Sequence, residues 1–261
     1  MAATFVDAGA GFLTVSTSAA CAPVAPATVN ADDILIIHTF YGGNSVAPNT
    51  PTGYTLLSGP HDVSTPGTNG RVWVFGKRAD GSEDGAAADM GVQAVTTPRR
   101  ARIYRFTGAA LGTIANVVKT FSFSTGTTAA VNDEGVTTTF RDSLACQLVA
   151  VADDNAIGAF TGMSGGTWAE ATAEFTSSTG TPDTCMQLQT AAIPVIGTIN
   201  GGSFTMSAAD PWGVVGFEIL PLASGAVIAS AGASTLPAAS AAKASSGAAI
   251  VSAGASTLPT G

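Results

Sequence analysis

Charge is scarce in this sequence. Asp, Glu, Lys and Arg make up 11% of its 261 residues, where a soluble domain usually carries about 25%. Aromatic residues are also few, at 7%. Helical bundles need Glu, Lys, Leu and Arg in bulk, so this shortage excludes them; polarity here rests on Thr, Ser and Gly. The shortage does not mean disorder, which requires low hydrophobicity together with high net charge, because 46% of the chain is apolar. The few charges lean acidic, 18 Asp+Glu against 10 Lys+Arg for a formal net charge of −8. That balance disfavours a nucleic-acid partner on electrostatic grounds.

Other absences narrow the field further. The three cysteines, Cys21, Cys146 and Cys185, are far apart, with no CxxC pair and no zinc spacing. Cys146 sits in an apolar run and reads as a buried small hydrophobe. The first Lys or Arg is Arg71, so no basic region precedes Phe12–Val15, and the N-terminus does not read as a secretory signal. Residues 8–31 carry no charge, but Ser, Thr, Pro23 and Pro26 interrupt them too often for a membrane helix. No Asn-x-Ser/Thr acceptor occurs. These features predict a protein made in a reducing cytoplasm, without membrane span, lipid anchor or obligatory disulfide. Walker and Rossmann glycine patterns, paired carboxylates and metal clusters are missing too, so the sequence points to no enzyme, no cofactor and no metal.

What is present is a succession of short apolar or alternating runs. The clearest are Ile34–Phe40, Arg71–Lys77, Arg102–Thr107, Asn116–Phe123, Leu144–Val151, Trp168–Phe175, Met186–Thr190 and Val214–Leu220. Turn-makers such as Gly42-Gly43-Asn44, Asn69-Gly70, Asp80-Gly81 and Asn200-Gly201-Gly202 separate them. Strands of this length at this spacing predict an all-β, antiparallel β-sandwich of jelly-roll type over residues 31–221, preceded by an N-terminal segment, 1–30. Ile34, Ile36, Val72, Val74, Ile103, Leu148, Leu188 and Phe217 are the expected core. Several runs are apolar on both faces, so some strands should be covered on both sides or packed on a second subunit.

After Pro221 the composition changes. Residues 222–261 contain one charged residue, Lys243, and no aromatic. Two 13-residue copies, GAVIASAGASTLP at 225–237 and GAAIVSAGASTLP at 247–259, match at eleven positions with a period of 22. Such small side chains bury too little area to offset an ordering cost of about 1–2 kcal/mol per residue. The extension therefore reads either as a flexible tail or as a segment ordered against neighbouring subunits. In the second case Val227, Ile228, Leu236, Ile250, Val251 and Leu258 are its contact residues.

Few constellations suggest chemistry. Gly162-Met163-Ser164-Gly165-Gly166 matches a nucleophile-elbow pattern, but His38 and His61 both precede Ser164, whereas the triad histidine follows the serine. His38 alternates into a strand and is expected to be a satisfied strand residue. Asp80-x-Ser82-x-Asp84-Gly85 opens like a calcium loop, yet its twelfth position is Gly91 rather than Glu, which leaves a solvated hairpin turn. Asp153, Asp154 and Asn155 follow an apolar strand; they either cap a turn or contact a cation or sugar, with Trp168 as a stacking platform. Arg99, Arg100, Arg102 and Arg105 concentrate four positive charges in seven residues. Strand alternation puts Arg100 and Arg102 on one face with Tyr104 and Phe106. That face is expected to be solvated or paired with the surplus acids, including across a subunit boundary.

The succession Gly53–Leu57 (GYTLL), Arg71–Glu83 (RVWVFGKRADGSE) and Arg102–Ala109 (RIYRFTGA), continued by residues 152–191 and 207–219, resembles a β-sandwich module of tailed-bacteriophage structural proteins. The resemblance spans roughly residues 30–220 and excludes the repeats. It implies a virion component, made in the host cytoplasm, of tail-fibre, head-spike or capsid-decorating type. A homo-oligomer, with a trimer as first choice, other virion proteins and a host surface glycan are the partners it suggests. A free carbohydrate-binding module is the alternative, for which Trp73, Trp168 and Trp212 would supply stacking faces.

Overall fold

The computed structural model describes residues 1–43, 46–63, 70–93, 96–132, 135–152, 157–158, 161, 164–170, 175–176, 184–194 and 196–222. Among them the chain forms β1 (Thr4–Ala8), β2 (Phe12–Thr14), β3 (Ile34–Tyr41), β4 (Thr55–Asp62), β5 (Arg71–Arg78) and β6 (Arg99–Thr107). One helical turn, α1 (Ile114–Val117), leads into β7 (Val118–Gly126). Then follow β8 (Ala130–Asn132), β9 (Val136–Thr138), β10 (Ser143–Val151), β11 (Thr167–Glu170), β12 (Phe175–Thr176), β13 (Cys185–Ile193), β14 (Gly197–Ile199), β15 (Ser203–Thr205) and β16 (Trp212–Ile219). The expected all-β, antiparallel sandwich is the observed class. The contiguous unit runs from Ala2 to Leu222, and the repeat extension beyond it lies outside the described residues.

Two antiparallel sheets face each other. The first has the order β1-β6-β3-β5-β4, with β2 also on β6; the second has the order β11-β13-β10-β16-β7, with β12 also on β13. Their inner faces follow strand alternation. Ile34, Ile36 and Phe40 of β3, Val72 and Val74 of β5, and Tyr104 and Phe106 of β6 meet Cys146 and Leu148 of β10, Leu188 of β13, and Val215 and Phe217 of β16 in one core. Each such side chain removed from water contributes about 1.5–3 kcal/mol. All eight residues expected in the core are fully buried.

Both outer faces are covered by the same chain, which accounts for strands that are apolar on both sides. On the first sheet, Leu35, Ile37, Trp73, Phe75 and Ile103 pack under Cys21, Ala25, Val29, Ala88 and Met90. These come from two irregular segments that run antiparallel, tied by backbone bonds such as Cys21 N–H to Gly91 O (3.0 Å) and Ala88 N–H to Pro23 O (2.8 Å). The Asp80–Gly85 stretch is the solvated turn expected, exposed except at Glu83, but it leads from β5 into this irregular layer and not into a partner strand. On the second sheet the cover is two ribbons, β8–β15 and β9–β14.

Three expectations need correction. Residues 1–30 do not precede the sandwich as a separate segment: β1 and β2 pair with β6, and residues 20–30 cover the first sheet. Asn116–Phe123 is a strand only from Val118, because α1 turns the chain first. Trp168–Phe175 divides into β11 and β12, both paired with β13.

Candidate functional site

The arginine cluster on β6 acts inside the chain. Arg105 Nε meets Asp7 Oδ1 at 2.9 Å and its Nη1 lies 3.6 Å from Asp33 Oδ2; it also donates to Thr28 O. Arg99 donates to Ala19 O (3.2 Å) and to Ser16 O, and Arg102 Nε donates to Gly9 O (3.1 Å). Three of the four arginines thus hold residues 7–33 against the first sheet. Arg100 is fully buried and Arg102 half-buried, so the chain itself covers Arg100. Arg99 and Arg105 share the outer face with Ala101 and Ile103, while Arg100 and Arg102 point inward with Tyr104, as alternation requires.

His38 lies in β3 between Ile36 and Phe40, opposite Arg102. It is completely buried, and neither ring nitrogen has a hydrogen-bond partner among the described residues. It is therefore a strand residue, as expected, but not a satisfied one. Burial pushes its pKa down to about 3, which keeps the ring neutral at pH 7.

Two buried carboxylates are structural. Glu218 on β16 accepts from Thr139 N–H (2.8 Å), Thr139 Oγ1 (2.8 Å), Phe140 N–H (3.1 Å) and Ser143 Oγ (2.7 Å). That set holds the segment between β9 and β10 to the sheet. Glu83 pairs with Lys77 Nζ at 2.5 Å and accepts from Asp80 and Gly81 N–H. Burial opposes its ionisation, but Lys77 and the two N–H donors prevail and hold its carboxyl below the usual range. The pair lines a hollow of about 190 Å³ beside Thr52, Tyr54 and Asp89.

A further concavity lies where both sheets end on the same side. It is a groove of about 410 Å³ lined by Leu56, Leu57, Ala115, Val118, Lys119, Thr120 and Phe121. Gly76 on β5 permits the packing beneath it: a Cβ there would meet Leu57 Cδ1 at 2.5 Å and Ile114 Cγ1 at 2.9 Å. Thr120 adopts φ +54° at the register shift between β7 and β16. Farther along the seam, His61 of β4 stacks on Phe123 of β7, with ring centroids 4.4 Å apart.

A second pair in this seam, Ser58 Oγ and His61 Nε2, 2.7 Å apart, has no signature in the sequence. An i, i+3 spacing puts strand residues on opposite faces; here two register shifts in β4 bring them together. Burial lowers the His61 pKa, so the neutral ring suits a base. A hydrolytic triad also needs an acid to orient that ring. The neighbouring Asp62 instead accepts from Arg71 Nε at 2.7 Å, and the pair braces an irregular edge.

Of the other expected site residues, Trp168 lies in β11, half-buried against Val136, Ala145, Ala191, Ile193 and Ile199. Asp153, Asp154 and Asn155 lie outside the described residues, as do Val227, Ile228, Leu236, Ile250, Val251 and Leu258. Ser164 is exposed, its backbone bridged to Asn200. All three cysteines are buried thiols, outside any disulfide, and burial raises the Cys21 thiol to about 11. Among the described residues no three His, Cys, Asp or Glu side chains gather as a metal site, and no helix is long and apolar enough to cross a membrane. No family model, curated protein or solved structure matches the chain.

Proposed function

We propose that this chain is a non-enzymatic structural component of a tailed-phage virion, a fibre, spike or decoration protein working as a homo-oligomer, with a trimer as first choice. The observation that carries the reading is where the charged side chains go. Arg99, Arg102 and Arg105 clamp the N-terminal segment, Glu218 fastens the cover of the second sheet, and Lys77–Glu83 fastens that of the first. A protein built to endure uses its polar groups in this way. The resemblance to phage β-sandwich modules supports the same assignment, since three of its segments coincide with β5, β6 and β16. The tryptophans favour it over a lectin: Trp73 and Trp212 are 2% and 5% exposed, which leaves Trp168 alone as a stacking face. Immunogold labelling of purified particles with an antibody to this chain tests the proposal. Labelled particles are expected; a chain expressed in infection but missing from particles would refute it.

A further inference from the structure

The groove between β4 and β7 is apolar at its floor and bounded by two sheet edges, since among the described residues β4 pairs only with β5 and β7 only with β16. Leu56 at its mouth is 44% exposed. The Thr120 hydroxyl in its wall is buried without a hydrogen-bond partner among the described residues. Leu57, Val118 and Phe121 complete an apolar surface suited to a slender segment, with Lys119 also in the lining. An extended strand is such an occupant: its backbone can meet a free edge while alternate side chains enter the groove.

The chain carries segments of this kind, and their attachment point is close to the groove. Leu220 N–H donates to Val117 O (2.9 Å) and Leu222 N–H to Gly108 O (2.7 Å), and Val117 adjoins the groove residue Val118. Four residues beyond Leu222 the sequence reads AVIAS (226–230), and 22 residues later AAIVS (248–252). Read as strands, both place an isoleucine, Ile228 or Ile250, at the third position, with a serine two residues on along the same face. Neither contains a charge or an aromatic, and the small flanking residues permit close approach to a sheet edge. At about 3.3 Å per extended residue, Ala226 reaches about 13 Å from Leu222 and Ala248 about 86 Å. The second segment thus has the reach to enter the groove of a neighbouring copy, and the near-identity of the two segments gives both the same fit.

We propose that the β4–β7 groove of one copy receives an isoleucine-centred segment, 226–230 or 248–252, from a neighbouring copy as an added strand, so that the protein self-associates through its C-terminal repeats. The inference rests on the homo-oligomer part of the reading above and not on location in the particle.

The test uses the full-length chain. Sedimentation equilibrium should show a multiple of the 25.7 kDa chain mass. Leu56→Asp, at an exposed position, should reduce it to the single-chain mass with the circular dichroism unchanged. The double variant Ile228→Asp/Ile250→Asp, outside the sandwich, should do the same. Leu56→Cys protein mixed with Ile250→Cys or Ile228→Cys protein under mild oxidation should give a disulfide-linked pair of chains, because the native cysteines are buried. An oligomer whose mass neither set of aspartates changes overturns the groove assignment while leaving oligomerisation intact. A wild-type chain that stays monomeric overturns both. Cross-links formed only within one chain when both cysteines share it overturn the exchange between copies.

Discussion

The first sheet is covered by chain with little regular pairing, residues 15–33 and 79–93, whereas two ribbons of three-residue strands cover the second. The two covers are fastened by different means. The irregular layer is held by distributed contacts: Arg105 to Asp7 and Asp33, Lys77 to Glu83, and the Asp84 carboxylate accepting from Val29 N–H at 2.6 Å. The second cover relies on apolar clusters at either end and on one carboxylate, Glu218, with four donors. Between those clusters lies a buried glutamine row, in which Gln147 faces Gln189 and Gln189 Nε2 donates to Gln187 Oε1 at 3.1 Å. A cover without a ladder must meet its backbone polar groups one at a time, so its charged contacts are numerous and individually modest. A ribbon satisfies most of its own, so a single buried charge suffices to seat it.

Removing one fastener should therefore harm the two sides unequally. Glu218→Ala leaves the Thr139 and Phe140 N–H groups and two hydroxyls without their acceptor, and is expected to cost about 3–5 kcal/mol, read from the urea midpoint. A loss under about 1 kcal/mol would mean that the ribbons seat themselves.

The layer shared by both sheets comes next, through His38. Its folded pKa lies below its unfolded value, so the unfolded state takes up a proton first as the pH falls. Stability from this residue is intact above about pH 6.5 and declines toward pH 3, by about 1.4 kcal/mol per unit, or about 2 kcal/mol at pH 5. His38→Leu should flatten that part of the pH–stability curve; an unchanged slope refutes the assignment.

Glu83→Gln is expected to cost about 1–3 kcal/mol at pH 7, less than Glu218→Ala, because the first cover has other fasteners. Its carboxyl is held low in the fold, so the wild-type advantage persists above the ordinary carboxylate pKa of about 4.3 and shrinks as the pH falls further. An advantage that grows on acidification would reverse the assignment.

The smallest effect belongs to Ser164→Ala, expected within about 0.5 kcal/mol of wild type. Its bridge to Asn200 uses backbone groups, and no later histidine exists to activate the hydroxyl. Labelling of Ser164 by a fluorophosphonate probe would contradict this.

The sheet strands were legible because burial of one or both faces writes periodicity into eight-residue runs; β3, β5, β10 and β16 were read almost to their ends. The covers were not. A three-residue strand such as β8 or β14 holds less than two periods of alternation, and the 15–33 segment is rich in Ala and other small residues, with no regular period. The arginines illustrate the limit at the site level. Alternation grouped Arg100 and Arg102 with Tyr104 and Phe106, but that face is the buried inner one and not the solvated one expected; their neighbours Arg99 and Arg105 find partners some 80–100 residues away, a distance no local pattern encodes. Ser58 and His61 escaped notice because the register shifts that join them follow from the edge position of β4.

The order of strands in the chain also sets an order of events during synthesis. Every strand of the first sheet lies within residues 4–107 and every strand of the second within 118–219. A growing chain can close the first sheet before the second exists, and that sheet then presents Ile34, Ile36, Phe40, Val72 and Val74 to water. The second sheet cannot close early, because β16, inserted between β10 and β7, is the last of its strands to be made. Until it emerges, the half-built molecule exposes an apolar face and two unpaired edges, so it is most vulnerable to aggregation in the interval before β16 is made.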